Sequence, residues 1–258
     1  MSYNIKTYSR RQRNNFIARS FWISVCVLVL FLCEFTAQAA SIRISPVNVE
    51  MPATQKATAL TLTNMGSEAV SLQLRTFVWS QADGKDELIS TDRLMISPPA
   101  VTVPAGKSYT VRIARSRLSS VSSEESYRLF IDELPRPVDA RTLNRGVSMI
   151  LRTSVPVFVV DEKAFAQLSW RIWQDTEGLH ARVTNNGKRH AKISQLMLTA
   201  NNVAASFGEG LNGYVLSGTS RQFTIARPDP RIRLTGGKTA ILTAKDGYLP
   251  IKETLHVQ

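Results

Sequence analysis

Apolar residues recur at every second position in many short runs of this chain, the spacing of strands with one buried face. Leu60 and Leu62 alternate with Thr61 and Thr63. Val70, Leu72 and Leu74 alternate with Ser71, Gln73 and Arg75, and Tyr109, Val111 and Ile113 with Thr110 and Arg112. Leu129 and Ile131 alternate with Arg128, Phe130 and Asp132. Val147, Met149 and Leu151 open a longer strand, predicted to run to about Val160. A second set follows: Leu168, Trp170 and Ile172; Leu179, Ala181 and Val183; Phe223 and Ile225; then Ile241. Turn chemistry separates the runs. Asp83-Gly84 and Asn186-Gly187 are hairpin dipeptides, Asn64-Met65-Gly66 closes another strand, and Ser97-Pro98-Pro99 and Pro104-Ala105-Gly106 interrupt the first half. No amphipathic helical pattern longer than about ten residues follows residue 40. The Ser/Glu-rich stretch 117–125 reads as a loop or a short helical turn. Many short strands punctuated by turns predict an all-β chain built of sandwiches.

The first forty residues break this pattern. Lys6, Arg10, Arg11, Arg13 and Arg19 precede the apolar run from Phe21 to Cys33, and Ala37-Gln38-Ala39 offers a small-x-small site. The run is shorter than the roughly 20 apolar residues that span a bilayer. The combination predicts a signal peptide cleaved after Ala39, with an uncleaved anchor as the competing reading. The remaining 219 residues suit two sandwiches of about 100 residues each. The predicted division is residues 1–39, 40–160 and 161–258, with the boundary near Asp161-Glu162-Lys163.

Cleavage changes what composition says. The chain of 258 residues carries +12, which on its face suggests nucleic acid. Residues 1–39 hold five of its Lys/Arg and one acid, so the mature chain has 27 basic and 19 acidic residues, +8. Its basic residues are scattered, with Arg112, Arg115 and Arg117 the nearest to a cluster, so a nucleic-acid partner is not expected. Both cysteines, Cys26 and Cys33, leave with the leader, which excludes disulfides and thiol chemistry from the mature protein. His180, His190 and His256 show no helical metal spacing and read as surface or loop residues, so no metal or cofactor is expected. Glu124-Glu125 and Asp132-Glu133 are adjacent carboxylates. Neighbours on a strand point to opposite faces, so they read as solvated or salt-bridged rather than as a hydrolytic pair. Trp170 and Trp173 have opposite parity, one inward and one outward. No catalytic constellation stands out, and neither an enzyme nor a small-molecule substrate is predicted.

Four stretches, in order, resemble the periplasmic chaperones of the chaperone–usher pilus pathway. They are Leu72-Gln73-Leu74-Arg75-Thr76-Phe77-Val78-Trp79-Ser80-Gln81, Ile96-Ser97-Pro98-Pro99, Ser126 through Pro135, and Leu151-Arg152-Thr153-Ser154-Val155-Pro156-Val157-Phe158-Val159. The pattern is most similar to the archaic branch, which serves spore-coat-U-like subunits. It covers about residues 41–160, with a looser likeness at Val183 through Leu196. The resemblance implies two immunoglobulin-like sandwiches in a boomerang. It implies a non-enzymatic periplasmic protein that binds pilus subunits by donor-strand complementation and passes them to an outer-membrane usher. A subunit lacks its last strand and the chaperone lends one; main-chain pairing gives affinity and alternate side chains fill pockets.

On that resemblance the donor strand carries Val147, Met149, Leu151, Thr153 and Val155. The same pattern also fits residues that fill the chain's own core. In other branches an arginine and a lysine in the cleft anchor the subunit's terminal carboxylate; Pro46 and Pro156 stand at those positions here. Arg128 and Arg152, with Arg75 behind them, are the substitute candidates, ordinary salt bridging being the competing role. Pro98 and Pro135 match turn prolines of the family. Self-association of the free chaperone stays open. The rival reading of the whole chain is a secreted structural or adhesive sandwich protein of the cell surface.

Overall fold

The structure is a computed structural model and describes residues 42–118, 121–135, 150–234 and 236–257. The leader, Val147 and Met149 lie outside the described residues. Among the described residues every regular element is a strand, as the alternation predicts.

Ten strands precede residue 161: β1 (Ile42–Ser45), β2 (Val49–Pro52), β3 (Ala57–Asn64), β4 (Val70–Ala82), β5 (Lys85–Ser90), β6 (Leu94–Ser97), β7 (Ala100–Val103), β8 (Ser108–Arg115), β9 (Glu125–Glu133) and β10 (Arg152–Val160). They form a sheet in the order β1-β3-β8-β6 and a second in the order β2-β10-β9-β4-β5, with β7 also on β4. Eight follow: β11 (Leu168–Asp175), β12 (Gly178–Asn185), β13 (Ala191–Ala200), β14 (Val203–Ser206), β15 (Leu211–Val215), β16 (Ser220–Ile225), β17 (Thr239–Asp246) and β18 (Leu249–His256). These make a sheet β11-β12-β16 and a sheet β14-β13-β17-β18, with β15 on β13. Every pairing is antiparallel except that of β10 with β2.

Each set of strands encloses its own core. Leu60, Leu62, Leu72, Val111, Ile113, Leu129 and Val157 are fully buried in the first, and Ile172, Leu179, Val183, Ile193, Leu196 and Leu198 in the second. Burial of each such side chain contributes about 1.5–3 kcal/mol. Trp170 is buried in the second core while Trp173 lies on the outer face of its sheet, the opposite parity expected. The run 150–160 enters strand geometry only at Arg152.

The two asparagine turns repeat one device. Asn64 is buried at the end of β3; its amide donates to the carbonyls of Glu68 (2.7 Å) and Val103 (2.9 Å), and its Oδ1 accepts from Gly66 N–H (2.9 Å). Asn185 is buried at the end of β12. It donates to the carbonyls of Arg189 (2.7 Å) and Val215 (3.2 Å) and accepts from Gly187 N–H (3.0 Å) and Gln167 N–H (3.1 Å). Each clasp ties a turn to a neighbouring strand through one buried backbone carbonyl, Val103 or Val215. Gly187 is fixed by close approach, because a Cβ there would stand 2.3 Å from the carbonyl oxygen of Phe165.

Replacing either asparagine by alanine removes a donor from one buried carbonyl and one part-buried one. Asn64→Ala and Asn185→Ala are each expected to lower unfolding free energy by about 2–4 kcal/mol, read from denaturant titration. An effect within 0.5 kcal/mol of zero, to the order of about one surface substitution, would show that the clasps are dispensable.

Candidate functional site

The period of two places the candidate residues. On the second sheet of the first sandwich, Leu72, Leu74, Leu129, Ile131, Val155, Val157 and Val159 face the core. Arg75, Phe77 and Trp79 on β4, Arg128, Phe130 and Asp132 on β9, and Arg152, Ser154, Pro156 and Phe158 on β10 therefore share the opposite face.

Asp132 gathers two of the predicted arginines. Arg75 donates to its Oδ2 from Nε (3.2 Å) and a terminal nitrogen (2.6 Å), and Arg152 donates from Nε to its Oδ1. Beneath them Phe77 and Phe130 pack with centroids 4.9 Å apart. Arg75 lies 5.9 Å from the Phe77 centroid and Arg152 5.2 Å from that of Phe130. Burial pushes the Asp132 carboxyl up, but the hydrogen bonds from Arg152 and Arg75 and their charges outweigh it and hold the group below the usual carboxylate range.

Arg128 stands apart. It is directly opposite Pro156, whereas Arg152 is opposite Asp132. Four residues separate the two levels, about 13 Å along the strand, so Arg128 and Arg152 do not converge. The Arg128 guanidinium lies 3.6 Å from the Trp79 ring centroid and 5.5 Å from that of Tyr214, which comes from β15 of the second sandwich. Among the described residues no carboxylate is within ion-pair reach of it. Burial lowers its pKa from the ordinary arginine value, with Asp86 pulling it back up. It remains charged. Arg128 is thus a partly desolvated cation held by aromatic faces, with Asp86 acting on it from beyond ion-pair distance.

The aromatic bed of Arg128 is also the junction of the two sandwiches. Trp79, Phe158, Val160, Tyr214 and Leu216 form a separate buried cluster. Phe158 stacks on His190 at 3.6 Å, and His190 Nδ1 is 2.8 Å from Glu124 Oε2, while the His190 backbone N–H donates to Oε1 (3.2 Å). Glu50 and Arg189 form an ion pair, and Ser123 and Ser217 share a hydrogen bond of 2.7 Å. Two expectations are corrected here. His180 and His190 are buried rather than on the surface, and Glu124 is buried against His190 rather than solvated. His180 packs under Trp173 and is bonded to Asp175 (2.8 Å) and Thr224 (2.9 Å). The sequence shows none of this, because Glu124 and His190 are 66 positions apart. Gln81, whose side chain bridges the sandwiches, gave no signal either.

The last feature is an edge. β10 pairs with β9 from Arg152 to Val159, but with β2 only from Val157 to Val160. Glu133 N–H donates to Leu151 O (2.9 Å), so odd-numbered residues of β10 bond to β9 and even-numbered ones point the other way. Arg152 and Ser154 therefore present backbone N–H and C=O groups to a side where no described strand lies, and Pro156 has no N–H to offer. Of the candidate donor residues, Leu151 is half-buried and Thr153 exposed. Val155 is buried in the chain's own core, a correction to its expected availability to a partner. The Ser97–Pro98 peptide is cis, as is Ser45–Pro46, and Pro135 is trans.

Fold and face together define a two-sandwich protein with an incompletely paired strand beside a sheet face of arginines and aromatic rings. A family model for pili and flagellar-assembly chaperones, PapD N-terminal domain, matches residues 41–163. The described chain has the fold of the chaperone–usher pilus chaperones. Among solved structures it is similar to the CsuC–CsuE chaperone–tip adhesion subunit pre-assembly complex from archaic chaperone–usher Csu pili of Acinetobacter baumannii. That match is 25% identical, covers 84% of this chain and 98% of the other, and has a TM-score of 0.63. The Pseudomonas aeruginosa CupB2 chaperone (15% identity, 83% and 100% covered, TM-score 0.54) shares the fold. So does the Salmonella enterica SafA pilin–SafB chaperone complex (12%, 85% and 99%, 0.58). No curated protein matches the sequence.

The depressed Asp132 carboxyl sets a pH dependence. Its native value lies below the unfolded value of about 3.9, so its contribution is full above that value and is lost as pH falls through the native one. The stability difference between the wild type and Asp132→Asn should be constant above about pH 5 and shrink on further acidification. A difference independent of pH would show that the two arginines do not stabilise the ionised form.

Proposed function

We propose that this protein is a periplasmic chaperone that binds pilus subunits of the spore-coat-U type through the open edge of β10 and delivers them to an outer-membrane usher. The observation that carries the reading is the half-paired strand. A rigid edge with free N–H and C=O groups is a template for strand addition. Here it is held in register by β9 and bounded by Pro156. Leu151, and Val147 and Met149 before it in sequence, supply the alternate apolar side chains that an incomplete subunit sandwich would take into its groove. The family match and the likeness to chaperone–subunit complexes support the same reading. The archaic branch is favoured by the Csu relative and by prolines 46 and 156 at the anchor positions of other branches.

In this reading Arg128 is the seat of the subunit's terminal carboxylate. It lies directly across from Pro156, and a bound carboxylate would supply the ion-pair partner that no described residue gives it. Arg75 and Arg152 share Asp132, which leaves that cluster one net positive charge to flank the seat.

Co-purification with a pilin-like subunit encoded beside an usher gene tests the assignment. Leu151→Asp should leave the fold intact and abolish the complex, and Arg152→Glu should impair it. Arg128→Gln should weaken binding about tenfold, the loss of one charge-assisted hydrogen bond. Normal capture by Leu151→Asp removes the strand from the mechanism, and retention of the protein at the cell surface supports the adhesive alternative.

A further inference from the structure

The wall of the Arg128 site that comes from the second sandwich is gripped from the first sandwich by Gln81, beside Arg221 of the second sandwich, which donates to the Tyr214 carbonyl at 3.3 Å. Gln81, near the end of β4, donates from Nε2 to the Tyr214 carbonyl (3.0 Å) and to Asp86 Oδ1 (2.8 Å). Its Oε1 accepts from the Leu216 N–H (3.0 Å) and the Thr219 hydroxyl (2.9 Å). Both amide hydrogens and both oxygen lone pairs are thereby used, the full capacity of the group. Three of the four bonds cross between the sandwiches, and two grip the backbone on either side of Val215. The Tyr214 ring, on that gripped segment, meets Trp79 edge-on at 5.5 Å and closes the aromatic bed over Arg128. Gln81 also holds Asp86, whose charge acts on Arg128 and which pairs with Arg221 at 3.6 Å.

We infer that Gln81 is a positioning residue for the carboxylate seat: it touches no ligand, but fixes Tyr214 and Asp86 so that the Arg128 guanidinium is presented in one orientation. The inference rests on the reading of Arg128 given above. The cores of the two sandwiches do not include Gln81, so its loss leaves each of them folded. What changes is the geometry of a cation that must meet a planar carboxylate, where small displacements cost bidentate contact. A side chain that only fastened the two sandwiches together would, on removal, weaken every ligand alike. A positioning side chain affects only ligands that use the seat.

The test uses the purified protein and two forms of one soluble nonapeptide of alternating apolar and polar residues, one with a free C-terminal carboxylate and one with a terminal amide. The wild type should bind the acid about tenfold more tightly than the amide, the worth of one charge-assisted hydrogen bond. Arg128→Gln should abolish the preference. Gln81→Ala should cut the preference at least threefold, to the order of half a decade or more, with amide affinity unchanged. The double variant should be no worse than Arg128→Gln alone. Arg189→Ala, which removes a different contact between the sandwiches, should keep the wild-type preference. A wild-type preference in Gln81→Ala, an equal weakening of both peptides, or the same loss in Arg189→Ala would overturn the role of Gln81 and leave Arg128 as the seat. Failure of the wild type to bind or to discriminate would overturn the seat itself, and Gln81 with it.

Discussion

Everything in this molecule turns on a strand that has hydrogen-bond partners on both sides for only part of its length. A β-strand carries donors and acceptors along both edges, and a buried edge cannot go unpaired without cost. β10 meets that constraint with β9 from Arg152 to Val159 and with β2 only from Val157 to Val160. Its second part, Val155 through Val160, is buried, which anchors the strand firmly. Its first part, Arg152 through Ser154, is exposed. One strand is thus both a structural member and a presented surface, and the change occurs within two residues.

The arginine-bearing face beside that edge is arranged differently. Two arginines share Asp132, so their charge is largely answered from within the sheet. The third, Arg128, has no ion-pair partner among the described residues and lies against ring faces, of Trp79 in the first sandwich and Tyr214 in the second, with Asp86 acting on it from farther off. Cation–π contact contributes about 0.5–2 kcal/mol, which lowers the cost of desolvating the guanidinium without neutralising it. The site therefore exists only while the two sandwiches keep their places. The buried Glu124–His190 contact, the Glu50–Arg189 ion pair and the Gln81 amide are among the polar contacts by which they do.

The fold was legible where a rule is local. Alternation at Leu60/Leu62 or Leu129/Ile131 predicts a buried face, and each of those residues is in the core. Asn64 and Asn185 were legible as turn residues but not as buried clasps, because their partners at Val103 and Val215 lie 39 and 30 positions away. The site was legible in composition and not in arrangement. Parity puts Arg75, Arg128 and Arg152 on one face, yet register decides that Arg75 meets Arg152 on Asp132 while Arg128 stands alone. Glu124 and His190 were read as surface groups since nothing near them in sequence announces a partner. Gln81 looks like any polar residue at the end of a strand.

Pro156 adds a last consequence. It sits where the open edge of β10 ends and β2 takes over, and it has no N–H to continue the ladder. On the proposed function, a strand added along that edge would meet a blind alley: ahead of it lies a proline and then an occupied lane. It would then be unable to slide forward to another register, and the edge would measure length as well as offer bonds. Only a chain whose end falls level with Pro156 also comes level with Arg128. A tape measure with a stop at zero is built from one missing hydrogen.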